Sequence, residues 1–299
     1  MKTKTKPSGV FVIYLLLLSH IPVMATNLDS PGMEDEVIVT SEDSTIYSHF
    51  ISWGQEKNLK ERPLSEIIVK TGQYFMGSPY VAHTLEKGES EKLVVNLREF
   101  DCTTYVETVL ALSFCVKWGQ TAFSDYLENL RELRYRDGEI EGYPSRLHYF
   151  SEWLRDNQEK NLIEIVTNHF GEGDFDADVG FMSAHPQKYD RLKGRADYID
   201  EIREAEQRIA SYELNYVSAE QMEQVFNQIK DGDIIAFCSS IEGLDITHVA
   251  LAKHTPDGLY FMHASLSGER VMLSEVPLES YIRSRDQVYG VLVGRAVWP

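Results

Sequence analysis

The sequence predicts an α+β fold in which helices come first and an antiparallel β-sheet comes last. Up to about residue 210, apolar side chains recur mainly at the three- and four-residue spacing of amphipathic helices. After residue 230 they form short runs rich in β-branched and aromatic residues, and turn residues separate these runs. Helices followed by strands, rather than strands that alternate with helices, are typical of a segregated α+β architecture.

The chain begins with the pattern of an export signal. Lys2, Lys4 and Lys6 precede a short apolar run over 10–18, and Ala25 ends a segment that suits signal peptidase. The apolar run is too short to span a bilayer comfortably as an anchor. We therefore predict a signal peptide over 1–25 and a periplasmic or secreted mature protein with no stable membrane anchor.

The mature chain is predicted to be strongly acidic. The full sequence has a formal charge of −18, and removal of 1–25, which contain three lysines and no acid, makes it −21. A protein of this charge is not attracted over long range to nucleic-acid phosphates or to anionic lipid. We therefore exclude nucleic acid as a partner, and we expect a monomer that binds a neutral or small substrate through local contacts.

Most of the mature chain is predicted to form one domain. Residues 26–44 are acidic and rich in turn formers, so we predict a flexible N-terminal arm, and 45–299 suit a single domain with insertions. Apolar spacing predicts helices at about 46–53, 64–75, 102–118, 123–133, 148–155 and 196–210, and strands at 93–97, 233–237, 247–252, 259–263 and 289–293.

Cys102 is the candidate nucleophile. It stands directly before an apolar helical run, where Asp101 is suited to cap the helix and Thr103 and Thr104 can add hydrogen bonds. A helix start favours the thiolate, which is the form of cysteine that attacks carbonyl carbon. The residues alone also fit a structural cysteine, because free cysteine is often buried.

The other two cysteines, Cys115 and Cys238, lie in apolar segments and are predicted to belong to the core. Three cysteines are too few for a disulfide framework, and an odd number leaves at least one free thiol. The sequence leaves open whether Cys115 and Cys238 pair. A free thiol in an exported protein supports a functional role for Cys102.

Two histidines in the last third are candidates for a base and its partner. His248 begins one apolar strand and His263 lies on the next, so adjacent strands can bring the two side chains together. An imidazole can carry the thiol proton, and a second polar group can orient that imidazole. Zinc would also suit two histidines, but the chain has neither HExxH nor paired CxxC motifs, so we expect no metal and no cofactor. His254 borders a turn, and we expect it to be exposed.

Three further segments are candidates for binding substrate or an ion. Tyr80 follows a Gly-Ser-Pro helix stop, which would place its hydroxyl near the thiol. Tyr143 and Arg146 belong to a turn that combines a cation with aromatic rings, which suits a sugar or a carboxylate and equally suits a surface loop before a core helix. The acidic segment 171–178 resembles a calcium loop, but Val179 and His185 stand where that loop needs glycine and glutamate, so we predict a solvated turn.

The motifs together resemble those of a known superfamily. Gly-Ser-Pro-Tyr at 77–80, Phe-Asp-Cys-Thr-Thr-Tyr-Val-Glu at 100–107, Gly-Asp-Ile-Ile at 232–235, Thr-His-Val-Ala at 247–250 and His-Ala-Ser at 263–265 resemble the NlpC/P60 superfamily of papain-like cell-wall hydrolases. Asp-Cys-Thr-Thr, with Leu-His-Tyr-Phe at 147–150 and Leu-Asp-Ile-Thr-His at 244–248, looks most like the DUF1460 branch. The likeness runs from about residue 70 to the C-terminus. The chain departs from most members, which have Asp-Cys-Ser-Gly at the cysteine, and it has no recognisable SH3-like targeting module.

The resemblance implies a papain-like fold and an exported N-acetylmuramoyl-L-alanine amidase, which cuts the lactyl–alanine amide of small peptidoglycan fragments through an acyl-enzyme. By position, Cys102 matches the family nucleophile, His248 the base and His263 the third polar residue, while Tyr80 matches a tyrosine near the oxyanion. Together with these residues, we expect substrate contacts from Asp101, Thr103, Tyr143, Arg146 and Asp245.

The sequence leaves three alternatives open. A γ-D-glutamyl-diamino acid endopeptidase would cut deeper in the same stem peptide. A non-catalytic muropeptide-binding protein would keep the fold without the chemistry. A thiol redox protein is disfavoured because the chain has no CxxC motif.

Overall fold

Helices occupy the first part of the chain and an antiparallel sheet the last part, which confirms the predicted α+β arrangement. The computed structural model describes residues 36–297. Its helices are α1 Ser41–Glu56, α2 Leu64–Tyr74, α3 Cys102–Trp118, α4 Phe123–Arg134, α5 Phe150–Glu159, α6 Phe181–Ala184, α7 Ala196–Ile209, α8 Met222–Val225 and α9 Leu278–Arg283. Its strands are β1 Val37–Ile38, β2 Leu93–Val94, β3 Ile163–Ile165, β4 Gly173–Asp174, β5 Asn215–Tyr216, β6 Ile234–Ser239, β7 Ile246–Thr255, β8 Gly258–Ser265, β9 Arg270–Leu273 and β10 Val288–Ala296. Within the described range, no helix is long and apolar enough to cross a bilayer.

Six strands form the main sheet in the order β3-β10-β6-β7-β8-β9, and each neighbouring pair is antiparallel. A tight turn joins β7 to β8, because the pairing continues to Thr255 opposite Gly258. β6 is buried along its whole length, as expected for an interior strand that is covered on both faces. The strands that carry both candidate histidines, β7 and β8, are therefore neighbours inside the sheet.

Helix α3 is the most buried of the described helices. Every side chain from Thr104 to Val116 is buried, so the helix is enclosed on all sides rather than amphipathic. It contacts α2 and α4 in the helical layer, and it contacts β7 and β8 in the sheet. The N-terminus of α3 is thereby held against the strands that carry the histidines.

The two faces of the sheet pack against different parts of the chain. Val249 and Met262 belong to the large core that includes the α3 residues. Ala250, the residue after Val249, and Phe261, the residue before Met262, belong to a second core that includes Leu278 of α9. The alternation follows from the two-residue period of a strand.

The N-terminal boundary differs from the sequence prediction. Thr40 caps α1 in a capping box with Asp43, and β1 pairs in parallel with β2. The buried Asp43 carboxylate also accepts hydrogen bonds from Leu97 N and Arg98 Nε at 2.9 and 3.1 Å. The prediction of a flexible arm over 26–44 is therefore wrong for 37–44, because long-range pairing orders this part. The predicted signal peptide lies outside the described residues.

The segment after residue 171 also differs from the predicted solvated turn. β4 pairs with β5, and Phe175, Ala177 and Val179 are buried in alternation with exposed residues. Their apolar side chains pack on the large core. The segment is therefore an extended edge with one buried face.

Candidate active site

Cys102 is the first residue of α3, and a capping box fixes its position. Asp101 Oδ1 accepts hydrogen bonds from Thr104 N and Thr104 Oγ1, each at 2.8 Å, and Asp101 N donates to Thr104 Oγ1 at 3.0 Å. This confirms that Asp101 caps the helix. One Asp101 carboxylate oxygen is therefore occupied by the cap, and Cys102 beside it is a half-buried residue.

Backbone pairing brings Tyr80 next to the cysteine. Phe100 N donates to Pro79 O at 3.0 Å, and Val81 N donates to Phe100 O at 2.9 Å. Burial, with the neighbouring charges of Cys102 and Asp101, raises the pKa of the Tyr80 hydroxyl. The structure thus brings Tyr80 to the N-terminus of α3, where the sequence predicted it.

His248 and His263 are in direct contact on one face of the sheet. His248 Nε2 lies 2.7 Å from His263 Nδ1, and the ring centroids are 4.9 Å apart. The pairing of Leu251 with Met262 places the two histidines diagonally across β7 and β8, which is close enough for side chains of this size. A register shift between Phe237 and Cys238 adds local curvature where β7 begins, next to His248.

Aromatic rings surround the histidine pair. Phe237 lies 5.6 Å from the His248 ring, and Phe261 lies 4.9 Å from the His263 ring. Tyr281 of α9 contacts both phenylalanines, with centroid distances of 5.1 and 5.0 Å. Apolar rings exclude water, so the charged form of either imidazole is disfavoured.

The pKa values of both imidazoles are low for this reason. Burial, together with the charges of His263 and Arg285, lowers the pKa of His248 to about 3. Burial and the charge of Arg285 lower the pKa of His263 to about 4. Both imidazoles are therefore neutral at pH 7, and one N–H lies between Nε2 of His248 and Nδ1 of His263.

The thiol is also held in its neutral form. Burial and the charge of Asp101 raise the pKa of Cys102 to about 11, although hydrogen bonds from the Val249 and Thr103 backbone and from the Thr103 side chain lower it. Desolvation therefore outweighs the effect of the helix start, which the sequence predicted to favour the thiolate. Within 36–297 the thiol has no hydrogen bond to either imidazole. Its contact with the histidine strand is through Val249, the residue after His248.

Tyr143 and Arg146 make contacts inside the fold. Both are buried, and the Arg146 guanidinium lies 4.9 Å from the Tyr143 ring. Arg146 forms ion pairs with Glu86 and Glu91, the latter at 3.5 Å. This corrects the expectation that Arg146 and Tyr143 bind substrate. The charge of Arg146 is paired with two glutamates, and the ring of Tyr143 is buried.

Asp245 also has an internal role. Its buried carboxylate accepts hydrogen bonds from Ser151 N at 2.7 Å and Ser151 Oγ at 2.8 Å, at the first turn of α5. Burial raises the pKa of this carboxyl, while the Ser151 hydrogen bonds lower it. Asp245 therefore fixes the start of β7 to α5, rather than contacting substrate as we expected.

Burial and contacts decide the remaining sequence predictions, for Cys115, Cys238 and His254. Cys115 and Cys238 are both free and buried, as predicted for core residues, and they do not pair. His254 is partly buried and contacts Asp231, with Nδ1 3.1 Å from Oδ1, so its predicted exposure is wrong. No group of three or more His, Cys, Asp or Glu side chains in residues 36–297 is arranged to hold a metal ion.

A groove of about 560 Å³ opens beside the histidine pair. The sequence analysis missed most of its lining, because these residues are spread over the end of β8, α9 and two turns, and most of them belong to no chemical motif. Besides His248 and His263, the lining includes Ser265, Leu266, Ser267, Tyr281, Ser284, Arg285 and Asp286. Tertiary packing of α9 on the sheet, which no local pattern encodes, brings these residues together.

Comparison with known proteins identifies the family. Residues 70–291 match the AmiA-like family of N-acetylmuramoyl-L-alanine amidase-like proteins. The match includes Cys102, His248 and His263 and covers most of the chain. The chain belongs to this family.

Solved structures agree with the family match. An N-acetylmuramoyl-L-alanine amidase from Bacteroides uniformis is 33% identical, with a TM-score of 0.75 over 79% of this chain and 99% of that chain. A Bacteroides fragilis protein provisionally described as a xylanase is 34% identical, with a TM-score of 0.73 over 76% of this chain and 99% of that chain. A Legionella pneumophila protein of the DUF1460 family shares the fold, with a TM-score of 0.63 at 20% identity over 86% of this chain and 96% of that chain. No functionally curated protein matches the chain.

Proposed function

We propose that the protein is an exported cysteine amidase that hydrolyses the N-acetylmuramoyl-L-alanine amide bond of peptidoglycan fragments, and that it is a papain-like member of the NlpC/P60 superfamily. The observation that carries the proposal is the 2.7 Å contact between His248 and His263, because His248 lies on the strand that touches Cys102 through Val249. Membership of an amidase-like family supports the choice of bond.

The histidine contact assigns a role to each ring nitrogen. If His248 Nε2–H donates to His263 Nδ1, then His248 Nδ1 keeps its lone pair and can accept the thiol proton. His263 then holds the base in one tautomer and one orientation. Because thiol and imidazole are both neutral at rest, the proton moves when the sulfur attacks, rather than before substrate binds.

The reaction proceeds in two steps. The Cys102 sulfur attacks the lactyl carbonyl carbon while its proton moves to His248, and the oxyanion is stabilised by amides at the start of α3 and by the Tyr80 hydroxyl. The carbon–nitrogen bond breaks as His248 gives its proton to the alanine nitrogen, which leaves a thioester. Water, deprotonated by His248, then attacks this thioester and releases the lactyl carboxylate and the thiol. The chemistry needs neither a metal nor a cofactor.

The residues of the site fit a glycosidase less well than an amidase. A glycosidase, which the Bacteroides fragilis name suggests, requires two carboxyl groups that flank the scissile bond. Asp286 is the one carboxylate among the described residues that line the groove beside His248. The carboxylate nearest the thiol, Asp101, caps α3, so no pair of free carboxyl groups within 36–297 flanks one bond here, and the thiol with two imidazoles favours acyl transfer over glycosidic cleavage.

Digestion of defined muropeptides tests the proposal. We expect a new free amine on L-alanine and a free lactyl carboxylate on the sugar. A free D-glutamyl carboxylate would instead identify the γ-D-glutamyl endopeptidase. Tight binding without any product would identify a muropeptide-binding protein. Periplasmic or secreted location is tested separately, by fractionation and by the N-terminus of the mature chain.

A further inference from the structure

The groove beside the histidine pair continues as a second hollow. The first has a volume of about 560 Å³ and the second about 260 Å³. Both are lined by His263, Ser265, Tyr281 and Arg285. A path therefore leads from His248 past His263 and then along Ser265, Tyr281 and Arg285, which the proposed chemistry does not use.

Arg285 gives this path a positive charge. Its guanidinium carbon lies 4.8 Å from the Tyr281 ring centroid, which holds the planar group over an aromatic face. Within residues 36–297 the Arg285 side chain has no ion pair and no hydrogen bond. Arg283, two residues earlier and also exposed, is paired with Glu279 and Glu220 at 3.1 and 2.6 Å. A stacked guanidinium keeps its N–H edge free to bind a carboxylate with two hydrogen bonds.

The charge stands out because the protein as a whole repels anions. The formal charge is −18, so an anionic ligand gains no long-range attraction and depends on local cations. Asp286 lines the first hollow and Glu275 the second, and both carboxylates oppose an anion there, so the anion depends on Arg285. Hydroxyls of Ser265, Ser267 and Ser284 add donors without charge. A neutral ligand would need no cation here, whereas a peptide with a free carboxylate would.

We propose that Arg285, stacked on Tyr281, binds a free carboxylate on the second residue of the leaving peptide and makes the enzyme selective for anionic stem peptides. The inference rests on the proposed amidase function. His248 must reach the leaving nitrogen to protonate it, and because His248 also lines the groove, we place the leaving peptide in that groove. An extended chain advances about 3.5 Å per residue, so a carboxylate on the second residue lies about 7 Å beyond that nitrogen.

A matched pair of substrates and variants tests this subsite. One substrate is N-acetylmuramoyl-L-alanyl-D-glutamic acid joined through its γ-carboxyl to the next residue, and the other carries a carboxamide in place of the free α-carboxylate. We expect kcat/KM to be about tenfold higher for the acid with wild type, as one charge-assisted hydrogen-bonded pair allows. Arg285→Gln should bring the ratio close to one, and Arg285→Lys should restore part of it. Arg283→Gln should keep the wild-type ratio.

Binding separates this proposal from the proposed function. Titration of the two peptides into Cys102→Ala, with and without Arg285→Gln, measures selectivity without cleavage. We expect the acid to bind about tenfold more tightly only when Arg285 is present, and less selectively at high salt. An unchanged ratio in Arg285→Gln, by kinetics or by binding, overturns the subsite. If wild type does not cleave either peptide but binding still depends on Arg285, the proposed amidase activity is overturned and the carboxylate subsite stands.

Discussion

At the residue scale, the site contains a neutral thiol next to a strand whose imidazoles are also neutral. A reactive cysteine is usually a thiolate with a lowered pKa, but burial here raises the pKa of Cys102 to about 11 and lowers that of His248 to about 3. Asp101 adds to the first shift because its carboxylate lies directly beside the thiol. At neutral pH the proton is therefore on the Cys102 sulfur and not on His248.

This state predicts how Cys102 reacts with iodoacetamide. The rate depends on the thiolate fraction, so alkylation at pH 6 should be slow and should rise about tenfold per pH unit until the pH approaches 11. Mass spectrometry of the peptide that contains Cys102 measures the rate, and Cys102→Ser is the blank. Fast alkylation that is flat from pH 5 to 8 would show a preformed ion pair and contradict this account.

At the element scale, α3 is positioned by a buried ion pair as well as by its cap. Glu107 of α3 accepts from Arg134 Nε of α4 at 2.7 Å, and both side chains are 3% exposed. Arg134 also donates to Val94 O of β2 at 2.7 Å. The pair thus ties three elements together behind the nucleophile.

Removal of one partner should be costly. Glu107→Gln leaves the Arg134 charge buried without its counter-ion, so we expect a loss of about 3–5 kcal/mol in the free energy of unfolding. Glu159→Gln, which breaks an exposed pair with Arg155, should cost less than about 0.5 kcal/mol. Urea denaturation measures both. A Glu107→Gln loss as small as that of the control would show that the pair does not stabilise the contact between α3 and α4.

The sequence predicted some of the contacts that position the site and missed others, for physical reasons. The cap at Asp101 and the strands of His248 and His263 follow from local spacing, so they could be located in advance. The roles of Arg146 and Asp245 could not, because their partners Glu91 and Ser151 are distant in sequence and only the fold brings them together. Arg285 was missed for the same reason: its place beside the histidines depends on the packing of α9.

At the scale of the whole molecule, the same site makes stability depend on pH. Histidines have a pKa of about 6.5 when unfolded, whereas His248 and His263 have values of about 3 and 4 in the fold. The unfolded chain therefore binds more protons below pH 6.5, and stability is lost as the pH falls from there toward the folded values.

The slope of this loss is testable. Each of the two histidines should contribute up to about 1.4 kcal/mol per pH unit between pH 6 and pH 4.5. The double variant His248→Gln with His263→Gln should show a shallower decline in the free energy of unfolding, and His49→Gln, exposed on α1, should follow wild type. Equal slopes in all three proteins would contradict the buried, neutral pair.

The central claim is that Cys102 is the nucleophile that cuts the muramoyl–alanine amide. Hydrolysis of N-acetylmuramoyl-L-alanyl peptides by wild type, Cys102→Ala and Cys115→Ala tests it most directly, because each variant loses one thiol and only Cys102→Ala loses the thiol of the site; circular dichroism checks that both variants are folded. We predict that wild type and Cys115→Ala release a free alanine amine and that Cys102→Ala loses at least about a thousandfold in rate. Release of the same amine by Cys102→Ala at the wild-type rate would contradict the account.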